Sequence, residues 1–331
     1  MKIAENASVA SLTTFKVGGA ARYHIVLETA DEAPDAVSFA ITNGVPLIPI
    51  GRGSNILGRD EDCDIALVTV GMSAVRVDGD TIIADAGALW DDVVITAVDA
   101  GLWGIENLSA IPGTVGGAVV QNVGAYGQVL SRACSRVVVF DTKEGVEKIF
   151  SRFDCAFGYR TSIFKNEPDR YLIPSSHFFL SHKPNPVLSY KDLAEHFGAE
   201  DSTLLVIRDS VVEIRKKKFP PLDVYGTAGS FFLNPILDEE SAFALQEIYP
   251  AMPVFSLPEG GVKVPIAWFL DHVLKLRGER EGNVEAWRDH VLAIVAHPGA
   301  SASDVRNFAR KISDRIHTEL RIVIEPEVRF L

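Results

Sequence analysis

Residues 29–44 read as a helix: Thr29 is placed to cap it, the first turn is acidic, and Gly44 supplies the stop. The helix leads straight into the apolar run 45–50, which predicts a strand. Further strands are predicted at 65–70, 75–77 and 81–84, with an Asp78-Gly79 turn of the hairpin type joining the last two. Residues 89–100 read as a second helix closed by Gly101, and the β-branched run 137–140 as another strand. Residues 206–219 carry helical apolar spacing until Pro220 and Pro221 end it and mark a boundary. Beyond it, Val305, Phe308, Ala309, Ile312 and Ile316 share one helix face ahead of a predicted strand at 321–324. No internal repeat or low-complexity tract interrupts this α+β pattern.

Composition narrows the possibilities. With 331 residues, 47% of them hydrophobic, the chain can bury a large core and divide into two or three units. Its first residues lack the apolar segment of a signal peptide, and no apolar run approaches the ~18 to 20 residues that cross a bilayer, so a soluble cytoplasmic protein without a membrane partner is expected. Cys63, Cys134 and Cys155 lie far apart without Cys-x-x-Cys spacing, which argues for buried, reduced thiols. The histidines show no metal-ligand spacing, and no metal is expected. A net charge of −12 argues against nucleic acid, which needs a broad cationic surface, while leaving a small anion open.

Candidate chemistry begins with residues 111–127, which place five glycines in a turn-rich run almost free of charge. Glycine reaches φ > 0 and has no Cβ, so successive N–H groups can converge on an anion such as a diphosphate. A second loop, Gly51-Arg-Gly-Ser-Asn55, follows the predicted strand 45–50, and together the loops suggest a bound dinucleotide; the alternative is two plain connections. Neither a Rossmann fingerprint nor a P-loop is present.

Four further segments combine polar residues with glycine or aromatic neighbours: residues 157–164, 215–218, 228–235 and 325–329. The cationic run at 215–218 fits a solvated helix end as well as a ligand site. Ser230 fits a turn residue as well as a reacting group, since no Gly-x-Ser-x-Gly elbow or evident histidine partner supports a nucleophile. Arg160 and Glu327 fit a structural ion pair as well as a catalytic one.

In their order, these segments and both glycine loops resemble the UDP-N-acetylenolpyruvoylglucosamine reductase family, the flavoenzymes that complete UDP-N-acetylmuramate synthesis, in the form with a longer substrate-domain loop. The resemblance spans nearly the whole chain, from Thr14-Phe-Lys-Val-Gly-Gly19 through Gly51-Arg-Gly-Ser-Asn55, Glu106-Asn-Leu108, residues 111–127, Gly158-Tyr-Arg160, Leu188-Ser-Tyr190 and Gly229-Ser-Phe-Phe232 to Pro326-Glu-Val-Arg-Phe330. It implies an α+β fold: an FAD-binding domain of the vanillyl-alcohol-oxidase (PCMH) type over 1–218, in subdomains of about 1–68 and 69–218, then a smaller α+β substrate-binding domain over 219–331. The C-terminal strand 321–331 would return to the active site.

The same resemblance implies FAD held without a covalent bond, since residues 51–55 lack the histidine or cysteine used for attachment in related folds, and NADPH as co-substrate. NADPH and the enolpyruvyl UDP-sugar would use one pocket in turn. It places the catalytic arginine, serine and glutamate on Arg160, Ser230 and Glu327. It implies FAD contacts at Gly51, Arg52, Gly53, Ser54, Asn55, Pro112, Gly113, Thr114, Gly116, Gly117, Asn122, Gly124, Ala125, Tyr126 and Arg215. Substrate contacts fall on Tyr159, Tyr190, Lys218 and Asn234, with His290 a further candidate. Ser230 would protonate C2 of an enolate held by Arg160, and Glu327 would help if protonated or if it orients a donor. Where long-loop members carry a tyrosine that closes over the nucleotide, this chain has Phe255, with Tyr249 slightly earlier. The end at Leu331 leaves little room for a further C-terminal element, and a monomeric or weakly associating protein is expected. Another flavin dehydrogenase or oxidase of the same fold, or a non-catalytic nucleotide-binding sensor, remains an alternative.

Overall fold

A computed structural model describes residues 1–195, 197, 202–257 and 260–331. The first helical segment opens with a 3-10 turn, Ala30–Glu32, where the Glu32 carboxylate accepts from the Thr29 N–H. It continues as the helix Ala33–Asn43, and Gly44 ends it at φ 65°. The predicted hairpin forms between Val75–Asp78 and Thr81–Asp85 around Gly79. Helices Trp90–Asp99, Leu204–Lys218 and Ala302–Leu320 lie where periodicity put them, and the last buries Val305, Phe308, Ala309, Ile312 and Ile316. The strand expected at 321–324 does not form. Arg321 turns left-handed at φ 56° as the helix cap; beyond it Pro326 bridges Phe232, and Arg329–Phe330 pairs, in parallel, with Ile56–Leu57.

The chain divides into two compact units, Met1–Ala7 with Ala20–Arg52 and Asp62–Lys216, and Ser8–Gly19 with Gly53–Glu61 and Lys217–Leu331. These are not the contiguous pieces 1–218 and 219–331 read from the sequence. Two short early segments pack with the C-terminal residues because Phe15, Val17 and Leu57 complete an apolar core with Phe231, Phe269 and Ile316. In the first unit, a four-stranded sheet runs in the order Lys2–Ser8, Ala20–Leu27, Cys63–Val70, Leu47–Pro49. A five-stranded sheet follows the order Val146–Ser151, Cys134–Asp141, Tyr171–Phe179, Thr81–Asp85, Val75–Asp78, antiparallel throughout. Trp90 and Phe178, in edge contact at 5.4 Å, sit in the core between that sheet and its helices. No described helix is long and apolar enough to cross a membrane.

Candidate active site

The two glycine loops approach one another within the first unit. A Cβ added to Gly51 would stand 2.5 Å from Thr114 Oγ1 and 3.9 Å from the Gly117 nitrogen, so a side chain at residue 51 would have to displace the Thr114 hydroxyl to lie against the second loop. A Cβ on Gly117 would meet nothing nearer than Thr114 Oγ1 at 3.7 Å, which leaves room for a ligand at that backbone. Part of the anion cradle expected from successive N–H groups is otherwise engaged. Val115 N–H donates to Ala88 O and Gly116 N–H to Ala86 O, so these two groups hold the loop onto its scaffold. Gly53 serves the other unit: its Cβ would fall 2.4 Å from Leu12 O, and it is there to let chain segments cross.

Arg215, on the helix Leu204–Lys218, is half-buried, and desolvation of its guanidinium pulls it below the ordinary arginine range, opposed by the Tyr126 hydroxyl. Arg160 is among the charges that depress it further, so two cationic groups share one neighbourhood. That favours an anion there. Arg215 Nε donates to Ala110 O at 3.1 Å, while Asp91 accepts from the Ala110 N–H at 2.6 Å and from both terminal nitrogens of Arg208. Burial would raise the Asp91 carboxyl, but the Arg208 fork and the Ala110 N–H outweigh it and hold it low. Together these side chains fix Ala110 at φ 56°, immediately before the glycine run. The sequence reading missed Asp91, Arg208 and Asn107; Asn107 donates to Tyr126 O at 2.6 Å and holds Tyr126 at φ 46°. Asn107 lies in the Glu106-Asn-Leu108 motif, which was the available signal.

Asn122 brackets the turn that carries Arg160 onto the loop. Its Nδ2 donates to Gly158 O at 2.8 Å and its Oδ1 accepts from the Ser131 N–H at 3.0 Å, so the side chain braces the turn at 158–161. Arg160, left-handed at φ 53°, donates from Nη2 to Gly124 O at 2.7 Å. Non-glycine residues held left-handed cost on the order of 1 to 2 kcal/mol each, and here Ala110, Asn122, Tyr126 and Arg160 cluster around one loop. Tyr190 lies edge-on to Tyr126 with ring centroids 5.4 Å apart, and burial raises both hydroxyls, Tyr126 to about 12. Tyr159 and Arg160 both act electrostatically on Tyr190, which brings the expected tyrosines and arginine into one group.

The second unit pairs Ser230 with His290 and joins the segments that carry Ser230 and Glu327 through main chain. Phe232 and Pro326 form an antiparallel bridge, Glu327 N–H donates to Phe231 O at 2.8 Å, and Leu233 N–H donates to Glu325 O at 2.9 Å. Ser230 bridges Ala293 on its other side, and its Oγ stands 2.9 Å from His290 Nε2. The histidine partner not evident in the sequence is therefore present. Asn55, assigned to the cofactor, donates from Nδ2 to Glu327 O at 3.0 Å, which positions the acid. Asn234 Oδ1 accepts from the Ile266 N–H at 3.0 Å. Lys218 precedes Phe219, whose ring meets the His290 imidazole edge-on at 4.9 Å. Tyr249 is partly buried against Trp268 and Phe269 and donates its hydroxyl to Glu319 Oε1, whereas Phe255 is half exposed beneath Lys263. Among the described residues, no group of three or more His, Cys, Asp or Glu side chains is placed to hold a metal ion.

Converging glycine loops beside the Arg215 guanidinium fit a dinucleotide, and a family model for an FAD binding domain matches residues 21–146, which places the chain among α+β flavoprotein oxidoreductases. A second model, the C-terminal domain of UDP-N-acetylenolpyruvoylglucosamine reductase, matches residues 220–331. Proteins of that name from Xanthomonas axonopodis pv. citri and Xanthomonas oryzae pv. oryzae (strain PXO99A) are 35% and 34% identical to the chain, each alignment covering 100% of it and 96% of the relative. The chain belongs to the UDP-N-acetylenolpyruvoylglucosamine reductase family. The crystal structure of the Thermus caldophilus enzyme has the same fold, with a TM-score of 0.71 at 24% identity over 99% of this chain and 98% of that one.

Proposed function

We propose that the chain catalyses the NADPH-dependent reduction of UDP-N-acetylenolpyruvoylglucosamine to UDP-N-acetylmuramate, a step in peptidoglycan precursor synthesis. FAD, bound without a covalent link, would supply two-electron hydride chemistry between NADPH and C3 of the enolpyruvyl group. Gly51, Thr114 and Gly117 would line its diphosphate, with Arg215 as the compensating cation. Arg160 pairs with the substrate carboxylate, where a permanent planar cation offsets charge developing over C2 and that group. Ser230 delivers the proton to C2, and Glu327, whose main chain is held by Phe231 and Asn55, helps by orienting a donor. Tyr159, Tyr190, Lys218 and Asn234 contact the nucleotide sugar.

The observation that supports this reading is the backbone frame joining the segments that carry Ser230 and Glu327, with Phe232 bridging Pro326 and Glu327 N–H donating to Phe231 O. Purified protein should be yellow, bleach under anaerobic NADPH and regain its colour when the enolpyruvyl sugar is added. In Ser230→Ala, recolouring should slow about 100-fold or more while bleaching changes far less. Failure of the enolpyruvyl sugar to recolour bleached wild-type enzyme would move the assignment to another substrate of the same fold.

A further inference from the structure

We propose that His290 is the proton source behind Ser230, a relay residue that acts through the hydroxyl and needs no contact with the reacting carbon. This rests on Ser230 being the donor to C2. A serine hydroxyl that gives up its proton becomes an alkoxide, and a half-buried alkoxide without a compensating donor is costly. The structure puts that donor in place, with His290 Nε2 at 2.9 Å from Ser230 Oγ.

The imidazole is held there from several directions. Its backbone closes a tight turn, with His290 N–H donating to Trp287 O at 3.2 Å and Ala293 N–H donating to His290 O at 2.8 Å. Ala293 is the bridge partner of Ser230, and Phe231 N–H donates to Leu292 O, so the strand that carries the serine also anchors the histidine turn. Phe219 flanks the ring edge-on at 4.9 Å and 71°. Imidazole is the side chain that exchanges protons with water near neutral pH, which lets it be recharged between turnovers.

The step balances. The electron pair arrives at the substrate with the hydride on C3. As the enolate takes the Ser230 proton, a C2–H bond forms and the Ser230 O–H bond breaks. The Nε2–H bond of the imidazolium then breaks as the Ser230 O–H re-forms. Neutral His290 takes its next proton from water. Nε2–H donating to Oγ also leaves the hydroxyl hydrogen free to point away from the ring, toward the substrate.

The test uses the FAD-loaded full chain carrying His290→Gln or His290→Ala, with the bleaching and recolouring rates measured separately by stopped flow. Recolouring by the enolpyruvyl sugar should fall about 100-fold relative to bleaching by NADPH, the lower end of the range for a general acid. Added imidazole should restore recolouring in His290→Ala in proportion to its concentration. Independently of turnover, the ¹⁵N resonance of His290 Nε2 should shift in Ser230→Ala. Recolouring at the wild-type rate in both histidine variants, alongside selective slowing in Ser230→Ala, overturns the relay alone. Equal slowing of both halves in His290→Gln also overturns it. If Ser230→Ala slows neither half selectively, the proton-donor reading falls and the relay with it.

Discussion

Two glycines one residue apart do different work, and only their neighbours show it. Gly51 would clash with the end of a threonine side chain, Thr114 Oγ1 at 2.5 Å, whereas Gly53 would clash with main chain, Leu12 O at 2.4 Å and Thr13 Cα at 2.6 Å. A side chain can turn away, and main chain in a packed core cannot. Gly51→Ala should therefore fold and bind FAD about tenfold more weakly, a loss of ~1.4 kcal/mol, as the loops are pushed apart. Adding Thr114→Ala should return part of that affinity, because the obstructing hydroxyl is gone. Flavin fluorescence quenching on titration of apoprotein checks both, and equal affinities for the single and double variants would show that the loops do not meet at this pair. Gly53→Ala, held at φ 60°, should instead lower stability.

At the scale of elements, the hairpin, the long helices and their stops were legible because each is set by local periodicity and by glycine or proline at its ends. What was illegible depends on remote segments. Arg329–Phe330 pairs only because Ile56–Leu57 lies beside it, and the Ser230–His290 contact arises from the bridge to Ala293, which no spacing in the sequence announces. The amides of Asn55 and Asn122, in the two glycine loops, hold Glu327 O and Gly158 O, contacts between remote segments that composition does not announce. Asp141 is a similar case. Fully inaccessible at the end of Cys134–Asp141, it accepts from Arg170, which precedes Tyr171–Phe179, and from Lys148 on Val146–Ser151, so one carboxylate ties three neighbouring strands. The Arg170 hydrogen bonds, reinforced by Lys148, hold it well below the usual carboxylate range. Because the folded value lies below the unfolded ~3.9, the stabilisation is complete above the ordinary range and is lost as pH falls through the folded value. Asp141→Asn should cost on the order of 3 kcal/mol at neutral pH, since the cations lose their partner. In urea unfolding, the gap to wild type should stay constant down to about pH 5 and narrow below about pH 4. A gap independent of pH would show that the ionised carboxylate is not what joins the strands.

For the molecule as a whole, the consequence lies in how the second unit is assembled. Residues 219–331 carry its three candidate catalytic and relay groups, yet the unit takes Ser8–Gly19 and Gly53–Glu61 from the other end of the chain. Phe15 and Leu57 are fully buried and Val17 nearly so. Burying each is worth about 1.5 to 3 kcal/mol, together a large share of the roughly 5 to 15 kcal/mol that separates a folded domain from its unfolded chain. Their polar contacts are equally specific. The Asp60 carboxylate accepts from the N–H groups of Ala302 and Ser303 at 2.7 and 2.9 Å, capping the helix Ala302–Leu320. Thr14 and Thr227 join main chain to main chain, and Gly226 lies so close to Phe15 O that a Cβ there would fall within 1.9 Å. A fragment cut at the double proline loses all of these at once, together with the partner strand of Arg329–Phe330. Expressed alone, residues 219–331 should lack the dispersed amide spectrum of a folded domain and the His290 ¹⁵N shift expected from its contact with Ser230. Fusing 8–19 and 53–61 to the fragment through flexible linkers should restore order. A cooperative unfolding transition in the bare fragment would mean that the two early segments decorate this unit without completing it.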